Sequence, residues 1–178
     1  VIDMELSRST FEKLYRDVFC HYPVIDWDRL NPIKRALRLW QLEHHIKDMS
    51  IHYGISRFVI VFSSFVLKIQ MNSGHDNEME VDFYKFAEDE GYGYLFAPVY
   101  HFDAHGFSVN VMPTVENIND ENDDLISSDF IGDDERDWLE CHVTDLHSGN
   151  YGFDEYGNVV IFDYAMCSEE GDISSENY

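Results

Sequence analysis

The sequence predicts an α+β fold built on antiparallel hairpins. Two observations carry that prediction. Apolar residues recur at helical spacing in four segments and at strand spacing in several shorter runs. The strand runs follow one another through short turns, in the order αα, ββ, α, βββ, α, ββ. That order does not suit the alternating βα units of a doubly wound sheet.

Ser9-Thr10-Phe11-Glu12 reads as a capping box, with Phe11, Leu14, Tyr15 and Val18 recurring behind it. This helix is expected to end near Cys20, before His21-Tyr22-Pro23. Asn31-Pro32 reads as the N-cap and first-turn pair of a second helix, with Ile33, Ala36, Leu37, Trp40 and Ile46 on its apolar side. Lys34, Arg35 and Arg38 occupy its other faces and read as a solvated surface. After Gly54, residues 57–62 and 65–70 form two β-rich runs joined by Ser63-Ser64, a hairpin. A helix is expected from about 77 to 89, with Met79, Phe83, Phe86 and Ala87 as its stripe and Gly91 and Gly93 closing it. Residues 95–99 read as a short strand interrupted by Pro98. Residues 99–102 and 107–112 make a second hairpin around Asp103-Ala104-His105-Gly106. Asp133-Asp134-Glu135 opens a helix to about His142, its carboxylates at the favourable end of the dipole. Residues 151–153 and 159–162 flank a turn and form a third hairpin. The polar stretch 168–178 is expected to fray.

The chain has 178 residues, 44% of them apolar and 15% aromatic, enough to bury a core. Against 12 Lys and Arg stand 35 Asp and Glu, a net charge of −23. Such a field repels phosphate backbones and anionic lipid, so no direct nucleic-acid or membrane binding is expected. It suits a basic protein partner. Apolar runs fall short of a membrane span, and no basic-then-apolar segment opens the sequence. Cys20, Cys141 and Cys167 are too few and too odd for a disulfide scaffold, so a reducing cytoplasm is expected. His101 and His105 lie across a turn, which argues against zinc. In the acidic stretch 116–137, Asp120, Glu121, Asp123 and Asp124 are calcium-like in composition, but their loop lacks the glycine and terminal glutamate of an EF-hand, and the stretch reads as a solvated acidic face. It is expected to be an exposed loop followed by a short helix.

The C-terminal part holds the chemistry. Val143-Thr144-Asp145-Leu146-His147-Ser148-Gly149-Asn150 is followed by Ile161-Phe162-Asp163-Tyr164, with gaps of five from Asp145 to Asn150 and thirteen from Asn150 to Asp163. This resembles the catalytic loop and metal-binding motif of the protein-kinase-like superfamily, especially small atypical kinase-like proteins of bacterial viruses. Phosphoryl transfer needs groups that position substrates and neutralise charge, and a tight loop followed by a hairpin can bring such groups together. The resemblance extends upstream. Phe65-Val66-Leu67-Lys68-Ile69 is similar to the strand bearing the phosphate-pairing lysine, and the helix after it offers Glu80, or alternatively Glu78, as its partner. Met112-Pro113 falls where the family holds adenine. The resemblance thus implies ATP and Mg²⁺ as cofactors. Lys68 would bind the α/β phosphates, Glu80 would fix Lys68, and Asp145 would be the catalytic carboxylate. Asn150 and Asp163 would hold metal. In place of a glycine-rich loop stand only Gly54-Ile55-Ser56-Arg57, where Ser56 and Arg57 would serve the nucleotide. Read singly, Lys68 is a plain strand-surface lysine, because alternation puts it opposite Leu67 and Ile69.

Other departures are Val143-Thr144 for His-Arg and Tyr164-Ala165 for Phe-Gly. Only 15 residues follow Asp163, too few for an activation segment or a peptide-binding lobe. The expected organisation is an N-terminal helical extension (1–50), a minimal kinase-like domain with a truncated C-terminal lobe (51–167) and a polar tail (168–178). Two functions stay open. One is a minimal Mg-ATP-dependent phosphotransferase of unknown acceptor. The other is a non-catalytic acidic protein on a kinase-like scaffold, a pseudokinase or DNA-mimic-like inhibitor of a basic host protein. It would act in the host cytoplasm if the source is viral.

Overall fold

The computed structural model describes residues 2–71, 74–117, 129–144 and 146–165. The chain divides into two compact units, residues 1–77 with 100–114, and residues 78–99 with 115–178. The first unit contains α1 (Met4–Asp17), α2 (Leu30–Glu43), β1 (Met49–Tyr53), β2 (Arg57–Phe62) and β3 (Phe65–Gln70). A third helix, α3 (Asp76–Asp89), begins in it. After α3, β4 (Tyr100–Ala104) and β5 (Phe107–Pro113) complete its sheet. The five strands are all antiparallel, in the order β1-β2-β3-β5-β4. The α+β class and its antiparallel hairpins are therefore as expected.

α1 starts five residues before the expected capping box. Asp3 is the cap, its carboxylate accepting the Leu6 N–H at 2.9 Å. Ser9 and Thr10 lie inside the helix and donate their hydroxyls back to the Leu6 carbonyl at 3.0 and 2.8 Å. Those bonds let hydroxyl residues sit mid-helix. α1 ends at Asp17, and a separate 3-10 turn, Phe19–His21, follows. α2 is likewise entered earlier than expected, through a 3-10 turn, Trp27–Arg29, capped by Asp26. Asn31 and Pro32 fall in its first turn, where proline's missing N–H has no intrahelical partner to lose. The basic face of α2 is partly engaged. Arg38 donates to Gln41 and to the Met49 carbonyl, and the Lys34 ammonium lies 5.0 Å from the Tyr53 ring centroid.

Strand alternation sorts the sheet. Ile51, Phe58, Ile60, Leu67, Ile69, Phe102, Val109 and Val111 share one buried cluster with Phe11 and Leu14 of α1 and Ile33, Leu37 and Trp40 of α2. Phe11 meets Phe102 edge-on at 5.5 Å. The β4–β5 turn places His105 and Gly106 at φ 53° and 81°, the left-handed pair a two-residue hairpin needs. His105 stacks on Tyr15 at 3.8 Å and bonds Glu12 at 2.6 Å, tying the turn to α1.

The second unit holds the rest of α3, then β6 (Glu116–Asn117), α4 (Asp133–His142), β7 (Tyr151–Phe153) and β8 (Val159–Ile161), with strand order β6-β7-β8. Its core is aromatic: Phe83, Phe96, Trp138 and Tyr164 pack at 5.1–6.1 Å, and the Tyr164 hydroxyl donates to the Ala97 carbonyl at 2.7 Å. The strand expected at 95–99 does not form. A 3-10 turn, Gly93–Leu95, is followed by one parallel bridge from Phe96 to Ile161. Pro98 has no N–H with which to prolong it. The acidic run 118–128 and the tail 168–178 lie outside the described residues. Among the described residues no helix is long and apolar enough to cross a membrane.

Leu37 and Leu39 test this arrangement. Leu37 is fully buried in α2 and Leu39 is 62% exposed. Leu37→Ala should cost about 3 kcal/mol in urea unfolding, and Leu39→Ala less than about 0.5 kcal/mol. Equal losses would mean that α2 does not pack by this face.

Candidate functional site

The alternation that sends Leu67 and Ile69 into the core sends Val66, Lys68 and Gln70 to the other face of β3. The register builds that face row by row. Val61, Val66 and Met112 align as an apolar row. Val59, Lys68, Asn110 and His101 align as the next. Arg57 then pairs with Gln70. Met112 is buried among these positions, as is Arg57. Lys68 is only 5% exposed. It is therefore not the strand-surface lysine that its pattern taken singly indicates. Burying an ammonium costs several kcal/mol unless polar groups replace its water.

A polar network occupies this face of the first unit. Asn77, in the first turn of α3, is its hub. Its backbone N–H donates to Gln70 Oε1 at 2.9 Å, and its Nδ2 reaches the Lys68 carbonyl at 3.1 Å and the Ser108 carbonyl at 3.0 Å. Asn110 Nδ2 donates to the Asn77 carbonyl at 3.0 Å. Asn110 Oδ1, which can only accept, faces His101 Nδ1 at 2.9 Å, so that ring nitrogen carries a proton. Gln70 Nε2 donates to the Ser56 carbonyl at 2.9 Å. The Ser56 hydroxyl donates to the Asp76 carboxylate. Ser56 thus bridges the β1–β2 turn to the start of α3. Nothing in the motif pattern singles out Gln70, Asn77 or Asn110. The one signal for Gln70 and Asn110 is a polar residue on the second face of an otherwise apolar strand, and Asn77, on α3, has none.

In the second unit, α3 turns the expected Phe83 and Ala87 inward but not the expected Met79. Met79 is 43% exposed, and Glu80 is fully buried with Phe83 and Ala87. Glu78 is exposed. Of the two candidate partners for Lys68, Glu80 is the buried one. Asn150 is 8% exposed, and its carbonyl accepts the Phe162 N–H at 2.9 Å. This continues the β7–β8 pairing of Tyr151 with Ile161 by one step. It sets Asn150 beside the residue preceding Asp163. Asp163 is exposed, beyond the end of β8 rather than closing a buried strand. Asp145 lies outside the described residues. Asn150 and Asp163 supply an amide and a carboxylate oxygen, hard donors that suit Mg²⁺. Among the described residues no three His, Cys, Asp or Glu side chains gather as a metal site.

Charge divides sharply between the units. The first contains ten acidic residues and ten Lys or Arg, and the second 25 acidic residues and two. The whole net charge of −23 therefore belongs to the second unit.

The hairpin that brings Asn150 and Asp163 near each other is closed by Asp154. Burial pushes its carboxyl up, but the N–H groups of Asn158 and Tyr156 at 2.8 and 2.9 Å and the Asn158 side-chain amide outweigh that and hold it below its ordinary range. A folded pKa below the unfolded one stabilises above the ordinary carboxylate range, and the contribution is lost as pH falls through it. Relative to its intrinsic rate, exchange of the β7–β8 amides should accelerate as pH falls below about 4. Asp154→Ala should make it about tenfold faster at neutral pH and remove that acid step. An unchanged acid step in the variant would show that Asp154 does not close the hairpin.

No family model matches the chain, and no curated protein matches it, so what it does rests on the chemistry of its own residues.

Proposed function

We propose that the chain is a minimal kinase-like Mg-ATP-binding phosphotransferase whose acceptor is unknown. The supporting observation is Lys68, a lysine buried on the polar face of an antiparallel sheet, in the strand that leads into a helix with a fully buried glutamate. In this reading Lys68 holds the α/β phosphates, and Glu80 fixes the lysine. Met112 and the valines in its row form an apolar floor for the base. Arg57 adds positive charge beside the phosphates. Ser56 offers them its backbone, since its hydroxyl is engaged by Asp76. Asn150 and Asp163 hold Mg²⁺, which when bound neutralises triphosphate charge. Asp145 faces the acceptor hydroxyl and takes its proton. Catalysis of this type is mostly positioning and charge neutralisation, which a small chain can supply.

The test is thermal stability against nucleotide. Mg-ATP at 100 times its Kd should stabilise the protein by about 2.7 kcal/mol. Lys68→Met, which keeps a buried apolar stem, should abolish that gain. Asp163→Ala should abolish it too while changing intrinsic stability by less than about 0.5 kcal/mol, because Asp163 is exposed. A wild-type protein with no stabilisation at millimolar Mg-ATP overturns the reading.

The charge division favours a second reading, in which the acidic unit docks on a basic host protein that holds DNA. With 25 acidic residues against two basic ones, that unit presents anionic density of the kind such a protein binds. It should then displace duplex DNA from a basic DNA-holding protein at low salt. Its affinity should fall steeply as salt rises, since exposed charges are screened within about 8–10 Å. DNA complexes left intact at low salt would remove this reading.

A further inference from the structure

We propose that Asn77 is the positioning residue of Lys68, a role that rests on the phosphotransferase reading and lies outside the motifs that suggested it. Asn77 is 1% exposed, and every polar group that places it touches the strand carrying Lys68 or its neighbour. One amide nitrogen, Nδ2, spans the Lys68 carbonyl on β3 at 3.1 Å and the Ser108 carbonyl on β5 at 3.0 Å. Ser108 Oγ lies 3.2 Å from the same nitrogen. Two further bonds fix the backbone of Asn77, from its N–H to Gln70 Oε1 and to its carbonyl from Asn110 Nδ2. Gln70 is two residues from Lys68 on the same strand face, and Asn110 is the cross-strand partner of Lys68. The start of α3 is thus clasped to the sheet at the residue that bears the functional ammonium.

The chemistry follows from what a lysine lacks. Its side chain has four rotatable carbons and no planar fork to orient it, so its direction must come from its surroundings. Here the backbone carbonyl of Lys68 accepts from a buried side chain that is bonded to two adjacent strands. An asparagine is suited to this because its amide supplies two N–H donors to paired carbonyls. Neither aspartate nor leucine supplies them. Among the described residues the Asn77 Oδ1 atom is buried without a hydrogen-bond partner.

The experiment uses the full chain with lysines ¹³C-labelled at Cε. The five lysines give five signals, and Lys68→Arg assigns that of Lys68. Asn77→Ala should shift or broaden the Lys68 signal, leave the other four in place, and weaken Mg-ATP binding at least tenfold in a protein that still unfolds cooperatively. Should Asn77→Ala not fold, Asn77→Ser suits a first helical turn but cannot reach the Lys68 carbonyl, and it should give the same two changes. A Lys68 signal unmoved in the folded variant overturns the proposal, as does a Kd within twofold of wild type. If wild type binds no Mg-ATP, the phosphotransferase reading fails by that result alone, and the lysine signal still decides whether Asn77 positions Lys68.

Discussion

The organising constraint in this protein is that β3 is buried on both faces. One face must be apolar, because Leu67 and Ile69 meet the core made with α1 and α2. The other carries Lys68 and Gln70, which are also shielded from water. A buried cation and a buried amide demand hydrogen-bonding company. The polar residues around them answer that demand. Asn110 stands opposite Lys68, Asn77 enters from the first turn of α3, and Ser56 closes the adjoining turn. The place where α3 begins is set by these bonds as much as by helix propensity.

The division of charge is compatible with one chain carrying both a lysine proposed to bind phosphate and a net charge of −23. Ten cations balance ten acids in the unit that holds Lys68, so an approaching triphosphate meets no net repulsion from that unit itself. The other unit, with 25 acids against two cations, attracts divalent cations and basic surfaces and repels polyanions. Asn150 and Asp163, the residues suited to Mg²⁺, lie in that acidic unit. Each half of the chain thus has the electrostatics its proposed ligand requires.

Most of the strands were legible in the sequence because period-two patterns with β-branched and aromatic residues are strong signals. β2, β3 and β5 fall within a residue or two of expectation. β1 was not seen: Met49-Ser50-Ile51-His52-Tyr53 is short, and Ser50 and His52 interrupt its apolar run. The start of α1 was misplaced because Ser9 and Thr10 look like caps, while the hydroxyls bond back to Leu6 and the true cap is Asp3. On α3 only Met79 of the expected stripe was misplaced, for a more informative reason. Phe83 and Ala87 are buried as expected, but the buried position next to Met79 belongs to Glu80. On the second face of β3, Lys68 was singled out by the resemblance and Asn77 was not. An asparagine's use of both amide hydrogens depends on which carbonyls the fold brings within 3 Å, and no local pattern encodes that.

Glu80 carries the functional argument one step further. A carboxylate with no exposure is a poor device for stability, since the cost of removing its water rivals any gain from pairing. The same holds for Lys68, flanked along its strand by Leu67 and Ile69 and paired across it with Val59. Two oppositely charged residues are thus kept buried, one in a strand and one in the helix that follows, where apolar residues would serve the fold better. Burial also raises the worth of each charge to a ligand, because the low-dielectric surroundings strengthen every interaction that a phosphate makes there. A surface lysine attracts phosphate weakly and without direction. In the proposed phosphotransferase, a buried lysine would meet phosphate from one direction only, and that difference would separate a binding site from a charged surface.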